Sequence, residues 1–238
     1  MPDISLFIPA YNAEKSLPDV LARISHDTWK MIRSVWIIND GSLDDTQSVI
    51  STLNQKYPQI KCIQFKDNQG YGAAVKAGLM AICNENTDYA ICLHADGQYA
   101  PESIPSFIKS TESKKWDILQ GSRIITGTAI EGGMPLYKYY FGKLLNVIEN
   151  KVFKLTLSDY HSGYMCYSRK AIKEIPTLKL SNSFDIDIEI IASARKLGLN
   201  IGEIGIPTCY ADEVSYLNPM IYGLRVLRVL FRYTRGYY

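Results

Sequence analysis

The chain has 238 residues, of which 47% are apolar and 21% charged, and this composition excludes an intrinsically disordered or fibrous protein. Its 26 basic and 24 acidic side chains leave a net charge of +2, so no general positive field favours nucleic acid as a partner. No stretch of twelve residues lacks a charged side chain, and the N-terminus shows no secretory signal. We therefore expect a cytoplasmic protein without a membrane-spanning helix.

The first half of the chain alternates short apolar runs with segments of helical periodicity. Runs rich in Ile, Val and aromatic residues predict strands over Ile4–Pro9, Ser34–Asn39, Ile60–Phe65, Tyr89–His94 and Ile118–Gly121. Apolar residues at helical spacing predict helices over Ser16–Ile24 (with Ser16 as N-cap), Asp44–Leu53, Tyr71–Ile82 and Glu102–Ser110. This alternation predicts an α/β fold whose mostly parallel sheet is covered by helices on both faces.

The second half of the chain is less regular. We predict helices over Leu136–Phe153 and Ile186–Leu197, and strands over Gly163–Ser168 and Ile201–Pro207. Neither an internal repeat nor a low-complexity linker interrupts the chain, so we expect one domain. Within it, residues 1–123 would bind a nucleotide, residues 124–214 would shape the site of the other substrate, and residues 215–238 would form a basic tail.

Polar residues or glycines follow each of the five strands predicted in the first half. Because ligands of an open parallel sheet collect beyond the carboxyl ends of its strands, we expect these segments to form one site. The segments are Pro9–Asn12, Asn39–Ser42, Asn68–Gly72, His94–Gln98 and Gly121–Arg123.

Two aspartates at these strand ends are candidates for ligand contacts. Asp96 follows the fourth strand, and Mg²⁺ or Mn²⁺ commonly takes one or two protein carboxylates together with phosphate oxygens of a substrate. The alternative is a turn aspartate before Gly97. Asp40 follows the second strand and is suited to hydrogen-bond a base or ribose, or else to cap a helix or turn.

Taken together, the five segments resemble family-two glycosyltransferases of the GT-A fold. The matching sequences are PAYN at Pro9–Asn12, NDGSLDDT at Asn39–Thr46, NQGYGAAVKAG at Asn68–Gly78, HADGQ at His94–Gln98 and GSR at Gly121–Arg123. The later stretches GGMPLYKYYFGKLLNVIEN and YHSGYMCYSRKAI are most similar to the polyprenyl-phosphate branch of that family, the branch of the dolichyl-phosphate mannose synthases.

The resemblance implies a UDP- or GDP-sugar as donor, with Mn²⁺ or Mg²⁺ bound to its diphosphate. The metal would lie on Asp96 with Gln98, because His94 stands where the DxD motif of the family has its first Asp. The nucleotide-binding residues implied in the same way are Pro9, Tyr11, Asn12, Asn39, Asp40, Asn68, Gly72 and Ala95.

The chemistry of sugar transfer suggests roles for three further residues. The departing diphosphate needs its developing charge stabilised, and Arg123 can supply this beside the metal on Asp96, unless it forms only a surface salt bridge. Asp187 is the candidate general base if the acceptor is a hydroxyl, and it would only orient an acceptor that is already a phosphate. The alternative is that Asp187 belongs, with Asp185 and Glu189, to a solvated helix face. His161 would contact the acceptor or the diphosphate, or be a packed histidine.

The last 24 residues, from Ser215 onward, carry four arginines and no other charged side chain. In a helix over 218–235, these arginines share an arc of about 80°. This pattern predicts a basic amphipathic helix at a membrane interface, with its cations on anionic headgroups, or a helix docked on the domain with exposed arginines. The four are Arg225, Arg228, Arg232 and Arg235.

These expectations combine into an inverting, metal-dependent glycosyltransferase at the cytoplasmic face of a membrane, acting in cell-envelope synthesis. Polyprenyl phosphate is the preferred acceptor, and a sugar hydroxyl of a polysaccharide or glycolipid precursor is the alternative. A nucleotidyltransferase and a catalytically silent nucleotide-binding protein are the alternatives from other classes. The five scattered cysteines are expected to be reduced thiols.

Overall fold

The computed structural model describes residues 2–127, 129–207 and 219–238. Its centre is a sheet of seven strands: β1 (Ile4–Ala10), β2 (Ile32–Asn39), β3 (Ile60–Gln64), β4 (Tyr89–Cys92), β5 (Ile118–Ser122), β6 (Met165–Ser168) and β7 (Ile201–Gly205). Their order in the sheet is β3–β2–β1–β4–β6–β5–β7. Only β6 runs antiparallel to its neighbours β4 and β5 in this sheet, which is mostly parallel as predicted.

Helices cover both faces of this sheet. They are α1 (Ser16–Ala22), α2 (His26–Met31), α3 (Thr46–Lys56), α4 (Tyr71–Cys83), α5 (Ile104–Ser113), α6 (Leu136–Phe153), α7 (Arg169–Glu174), α8 (Ile186–Lys196) and α9 (Pro219–Thr234). Side chains alternate along β1, so that Phe7 packs with α4 and α8 while Leu6 and Ile8 pack with α1 and α5. The α/β fold predicted from the sequence is thereby confirmed.

The cap of α1 and two short helices differ from what the sequence led us to expect. Ser16 is not an N-cap, because α1 begins at Ser16 itself and its cap residue, Lys15, makes no side-chain capping bond. The six-residue helices α2 and α7 were not predicted from the sequence. Each begins after a serine whose hydroxyl accepts a backbone N–H, Ser25 for α2 and Ser168 for α7, and each is too short to show a clear apolar period.

The strand order creates a crevice beside β1. The chain places β2 and β3 on one side of β1 and β4 on the other, and all these pairings are parallel. At such a switch point the connections leave in opposite directions, which opens space beyond the carboxyl ends of the strands. Because β5 runs antiparallel to β6, and β6 antiparallel to β4, the carboxyl end of β5 lies at the same edge.

The C-terminal helix α9 docks on the rest of the protein. Val226, Val229 and Leu230 are buried, while Arg225 pairs with Asp185, the residue before α8, and Arg232 pairs with Glu189 in α8. The four arginines therefore do not form the single exposed cationic face that was expected, and residues 215–218 of the proposed tail lie outside the described residues. Within the described residues, no helix has both the length and the apolar content that crossing a bilayer requires.

The described cysteines are free thiols. Cys92 and Cys166 are buried, Cys83 is half-buried and Cys62 is exposed. These four agree with the prediction of reduced thiols, and Cys209 lies outside the described residues.

Candidate active site

A cavity of about 1250 Å³ opens at the carboxyl edge of the sheet. Its wall includes the segments that follow β1, β2, β4 and β5, together with residues of α4, α6, α8 and α9. Eleven of the candidate residues line it: Pro9, Tyr11, Asn12, Asp40, Asn68, Ala95, Asp96, Gln98, Arg123, His161 and Asp187. The structure thus brings together residues from strand ends that are far apart in sequence.

Two candidate nucleotide-binding residues, Asn39 and Gly72, lie outside this wall. Asn39 is fully buried; its Oδ1 accepts the Ser42 N–H at 3.0 Å and its Nδ2 donates to Gln47 at 2.9 Å. The Gly72 N–H donates to the carbonyl of Asn182 at 2.9 Å, and a Cβ atom at Gly72 would collide with this backbone. Both residues support the cavity wall from behind.

Asp40 lines the cavity and also organises the loop that leads into α4. Its carboxylate accepts the Gln69 N–H at 2.7 Å and the Gly70 N–H at 3.0 Å. Burial raises the pKa of Asp40, although these two hydrogen bonds oppose the shift. Gly70 has a φ of 96°, which L side chains rarely adopt, so the sharp turn held by Asp40 requires glycine there.

Asp96 and Gln98 form a tight turn at the rim of β4. The Gln98 N–H donates to Asp96 Oδ1 at 3.0 Å, and Gly97 between them has a φ of 76°. Both side chains are partly exposed and line the cavity. A carboxylate and an amide oxygen suit a hard cation that takes its remaining ligands from phosphate. Among the described residues, His, Cys, Asp and Glu nowhere gather in groups of three or more that could hold a metal ion.

His94 belongs to a packed network beside this turn. Its Nε2 lies 3.2 Å from the Tyr71 hydroxyl, and its ring meets Tyr99 edge-on at 4.7 Å between centroids. Burial lowers the pKa of His94, and a Cβ atom at Gly163 would collide with both the imidazole and Tyr71. The Nε2 atom is therefore engaged with Tyr71, a residue to which the sequence analysis gave no role.

The three acidic residues at the start of α8 point in two directions. Asp187 is buried and faces the cavity, where the Tyr71 hydroxyl donates to its Oδ2 at 3.2 Å. Burial raises the pKa of Asp187 to about 7, against the effect of this hydrogen bond. Asp185 and Glu189 bind Arg225 at 3.1 Å and Arg232 at 2.9 Å on α9. All three are buried, so the interpretation as a solvated helix face is wrong.

Arg123 forms a buried ion pair with Asp159, which the sequence analysis did not single out. The Arg123 Nε donates to Asp159 Oδ2 at 3.0 Å, and Nη2 donates to the His161 carbonyl at 2.9 Å. The two side chains are only 13% and 4% exposed, which rules out the surface salt bridge considered above. Burial alone would raise the pKa of Asp159, but the charge and hydrogen bond of Arg123, together with the hydrogen bond from the His161 N–H, lower it below its usual value.

His161 lies at the cavity wall between two partners that the sequence gave no reason to expect. Its Nδ1 is 3.1 Å from the Tyr222 hydroxyl on α9, and its Nε2 is 3.4 Å from Glu149 Oε2 on α6. Burial lowers the pKa of His161 to about 4. Burial, together with the charge of Asp159, raises the pKa of Glu149 to about 8.

Comparison with known sequences agrees with the resemblance described above. Residues 5–176 match the family described as glycosyl transferase family 2. A UDP-N-acetylglucosamine–dolichyl-phosphate N-acetylglucosaminyltransferase of Methanococcus voltae is 28% identical over 88% of this chain and 86% of its own. A dolichyl-phosphate β-glucosyltransferase of Trichomonas vaginalis is 30% identical over 85% of this chain and 64% of its own. The resemblance to the polyprenyl-phosphate branch is confirmed by these relatives.

Solved structures show the same architecture. Glucosyl-3-phosphoglycerate synthase of Mycobacterium tuberculosis in complex with UDP superimposes with a TM-score of 0.71 at 16% identity, over 98% of this chain and 80% of that chain. The same enzyme with Mn²⁺, UDP-glucose and phosphoglyceric acid gives a TM-score of 0.71 at 16% identity, over 98% and 79%. At this identity the likeness concerns the fold, and it confirms the expected GT-A fold.

Proposed function

Since the chain belongs to glycosyl transferase family 2 and has the GT-A fold, it is a glycosyltransferase, and we propose that it moves a sugar from a UDP- or GDP-sugar to a polyprenyl phosphate with inversion at the anomeric carbon. The observation that carries this proposal is the shared cavity, whose wall holds the nucleotide-binding candidates together with Asp96, Arg123 and Asp187. The choice of acceptor is supported by the relatives, which are named as transferases acting on dolichyl phosphate. The nucleotidyltransferase and silent-protein alternatives are set aside, because the family is one of glycosyltransferases.

In this proposal, residues 1–123 bind the donor. Pro9, Tyr11, Asn12, Asp40, Asn68 and Ala95 would surround the nucleoside, and Asp96 with Gln98 would hold Mn²⁺ or Mg²⁺. The cation, when bound, neutralises charge on the departing diphosphate. The complexes of the structural neighbour with UDP and Mn²⁺ or Mg²⁺ support this choice of metal.

Arg123 would add a fixed positive charge on the other side of the site. Its guanidinium lines the cavity, is held by Asp159 and the His161 carbonyl, and lies 5.8 Å from the centroid of the Tyr99 ring. Because these contacts already orient it, little reorganisation is needed when negative charge develops nearby. His161 belongs to the same wall and would face the acceptor or the diphosphate.

The acceptor would occupy the part of the cavity formed by residues 124–214, where Asp187 lies. A carboxyl with a pKa of about 7 is suited to take a proton from an acceptor hydroxyl. That property favours a second candidate, transfer to a sugar hydroxyl of a glycan or glycolipid precursor. A phosphate acceptor is already a nucleophile at neutral pH, and Asp187 would then only position it.

We propose that the protein binds peripherally at the cytoplasmic face of a membrane, as a polyprenyl acceptor and a role in cell-envelope synthesis require. The contact would be an apolar face formed by α6 and α9 together. The two helices run side by side in the same direction, because Gly223 lies against Phe141 near one end and Tyr233 packs on Phe153 near the other. Each packs on the protein through its other side and exposes large apolar residues, which are Leu136, Tyr137, Tyr140, Phe141, Leu144, Val147, Ile148, Met220, Ile221, Leu224, Leu227 and Phe231.

The charge and position of this apolar face suit an anionic bilayer. Glu149, which is buried, is the only acidic residue in α6 and α9, whereas Lys143, Lys151 and Arg228 are exposed there. Phe141 and Met220 belong to the apolar face and also line the cavity. A lipid-linked acceptor could therefore pass from the bilayer to the cavity along apolar surface.

Sedimentation with vesicles tests this membrane contact. Leu224→Glu should abolish binding to phosphatidylglycerol-containing vesicles, while Leu178→Glu should not, since Leu178 is equally exposed (65% against 69%) but lies outside the apolar face. Equal binding of both variants, or equal loss, would contradict the proposal.

Product analysis tests the function itself. Purified protein is incubated with Mn²⁺, a panel of UDP- and GDP-sugars, and either farnesyl phosphate or a free glycoside. Formation of a farnesyl phosphosugar from one donor, with the anomeric configuration inverted, supports the main proposal. Transfer only to the glycoside supports the second candidate, and retention of configuration would contradict the inverting mechanism.

A further inference from the structure

A chain of three polar side chains crosses from the interior of the protein to the cavity. Glu149 on α6 is fully buried, and His161 lies between it and Tyr222 on α9. His161 and Tyr222 line the cavity, whereas Glu149 lies behind it. Both carboxylate oxygens of Glu149 and the Nε2 of His161 lack a hydrogen-bond partner of good geometry among the described residues. Nevertheless, His161 Nε2 lies only 3.4 Å from Glu149 Oε2.

The positions of two protons, one on Glu149 and one on the ring of His161, decide which of the three side chains donates each hydrogen bond. A neutral imidazole has one donor and one acceptor nitrogen, and a neutral carboxyl has a single O–H donor. If His161 Nε2 accepts the proton of Glu149, the ring proton lies on Nδ1 and is donated to the Tyr222 oxygen. If the ring proton lies on Nε2 instead, this nitrogen, 3.4 Å from Glu149 Oε2, cannot accept the O–H of a neutral Glu149, and losing that acceptor is costly for a buried donor.

The groups around the pair favour its neutral form. Asp159 and Arg123 flank His161 and already pair with each other, and Tyr160 lies beside Glu149 without a positive charge to offer it. A negative charge on Glu149 would therefore be buried without a matched cation. Burial and Asp159 keep its proton bound at neutral pH, since the pKa of Glu149 is about 8 while that of His161 is about 4.

We infer that Glu149 and His161 together orient the hydroxyl of Tyr222 so that it donates a hydrogen bond into the cavity. The group that receives this bond would be a phosphate oxygen of the acceptor substrate, and this second part rests on the proposed function. With Nδ1–H directed at the Tyr222 oxygen, the phenolic proton is turned away from His161. Tyr222 lines the cavity, so its O–H is then available to an anionic ligand there. In the opposite arrangement Tyr222 would donate to Nδ1, and its hydroxyl could only accept a bond from a ligand. Glu149 is accordingly a positioning residue.

Nitrogen-15 NMR of the histidine rings in the full chain measures this arrangement directly. The protein has three histidines, and His161→Asn assigns the signal of interest. At pH 7 we expect His161 to carry its proton on Nδ1 and to remain neutral down to about pH 5. A ring protonated on Nε2, or a titration midpoint at the ordinary value near 6.5, would overturn the inference.

Two substitutions of Glu149 separate its hydrogen bond from its volume. Glu149→Gln retains a donor that can reach Nε2 and should keep the Nδ1–H tautomer, whereas Glu149→Leu removes the donor and should lose it. An unchanged tautomer in a folded Glu149→Leu variant would overturn the role of Glu149.

The ligand contact has its own readout. Tyr222→Phe should raise KM for farnesyl phosphate about 10-fold or more and leave KM for the sugar nucleotide unchanged, with the exposed Tyr237→Phe as control. An unchanged KM for farnesyl phosphate, or an equal rise for both substrates, would contradict the phosphate contact. If farnesyl phosphate is not a substrate at all, the proposed acceptor is wrong and the phosphate contact falls with it, while the NMR result still decides the proton arrangement.

Discussion

The hydroxyl of Tyr71, at the start of α4, donates a hydrogen bond of 3.2 Å to the buried carboxylate of Asp187, at the start of α8. The same hydroxyl lies 3.2 Å from His94 Nε2. Tyr71 thereby connects His94, which stands at the first position of the DxD-like segment, with Asp187, the candidate base. The two residues are far apart in sequence.

Removal of this hydroxyl should change the pH dependence of transfer to a hydroxyl acceptor. The pKa of Asp187, about 7, is held down by Tyr71 against the effect of burial, so Tyr71→Phe should raise it. A base acts in its ionised form, and the rising limb of kcat against pH should therefore move to higher pH. An unchanged midpoint in this variant would exclude Asp187 as the titrating group.

Substitution of the base itself separates the acids of α8. Asp187→Asn should lower kcat on a hydroxyl acceptor by about 10²- to 10⁴-fold, and much less on farnesyl phosphate, because general base catalysis is needed only for the former. Asp185→Asn is the matched control, since Asp185 is buried on the same helix end but binds Arg225. Equal losses in the two variants would point to damage to α8 rather than to catalysis.

The buried ion pair of Arg123 and Asp159 should matter for folding as well as for the site. Asp159→Ala removes the carboxylate that pairs with the buried Arg123 guanidinium, which costs about 3–5 kcal/mol of the free energy of unfolding. Asp3→Ala breaks the pair of Asp3 with Arg33, whose side chains are about half exposed, and should cost below about 1 kcal/mol. Urea unfolding of both variants measures the difference, and similar losses would contradict the buried character of the first pair.

Several of these residues could be anticipated from the sequence and others could not. The boundaries of α6 agree with the prediction because its apolar pattern is long and regular. The meeting of Pro9, Asp40 and Asp96 in one cavity follows from parallel strands, whose carboxyl ends share an edge. Position after a strand does not decide which side a residue faces, and for that reason Asn39 and Gly72 support the wall instead of lining it.

The residues missed by the sequence analysis depend on contacts between distant segments. Asp159 meets Arg123 across 36 positions, and Tyr222 meets His161 across 61. Asp159 directly precedes the stretch YHSGYMCYSRKAI, which was the one local signal that could have found it. Glu149 occurs in an amphipathic helix as any surface glutamate would, and only the packing of α6 makes it buried.

Glu149 should also make the stability of the protein depend on pH. The folded protein holds the Glu149 proton up to a pKa of about 8, whereas the unfolded chain releases it near the ordinary value of 4.5. The native state therefore binds more protons between these values, and this contribution is complete below about pH 4.5 and is lost as the pH rises through 8.

The side chain in Glu149→Gln cannot titrate. The free energy of unfolding of this variant, relative to that of the wild type, should therefore increase as the pH rises from 5 to 8. The effect of His161 is common to both proteins and cancels in the comparison. A difference in stability that does not change with pH would show that Glu149 titrates normally.

The proposed function depends on the binding of a divalent cation by Asp96, with the diphosphate of the donor on that cation. Isothermal titration of UDP and of GDP in the presence and absence of Mn²⁺ measures it in the wild type, in Asp96→Ala and in Asp88→Ala. Asp88 precedes the opposite end of β4 and is the control, as its exposed carboxylate binds Arg169 away from the cavity. We expect Mn²⁺ to strengthen binding of one of these nucleotides in the wild type and in Asp88→Ala, and to have no effect in Asp96→Ala. Equal enhancement by Mn²⁺ in Asp96→Ala and the wild type would contradict the assignment.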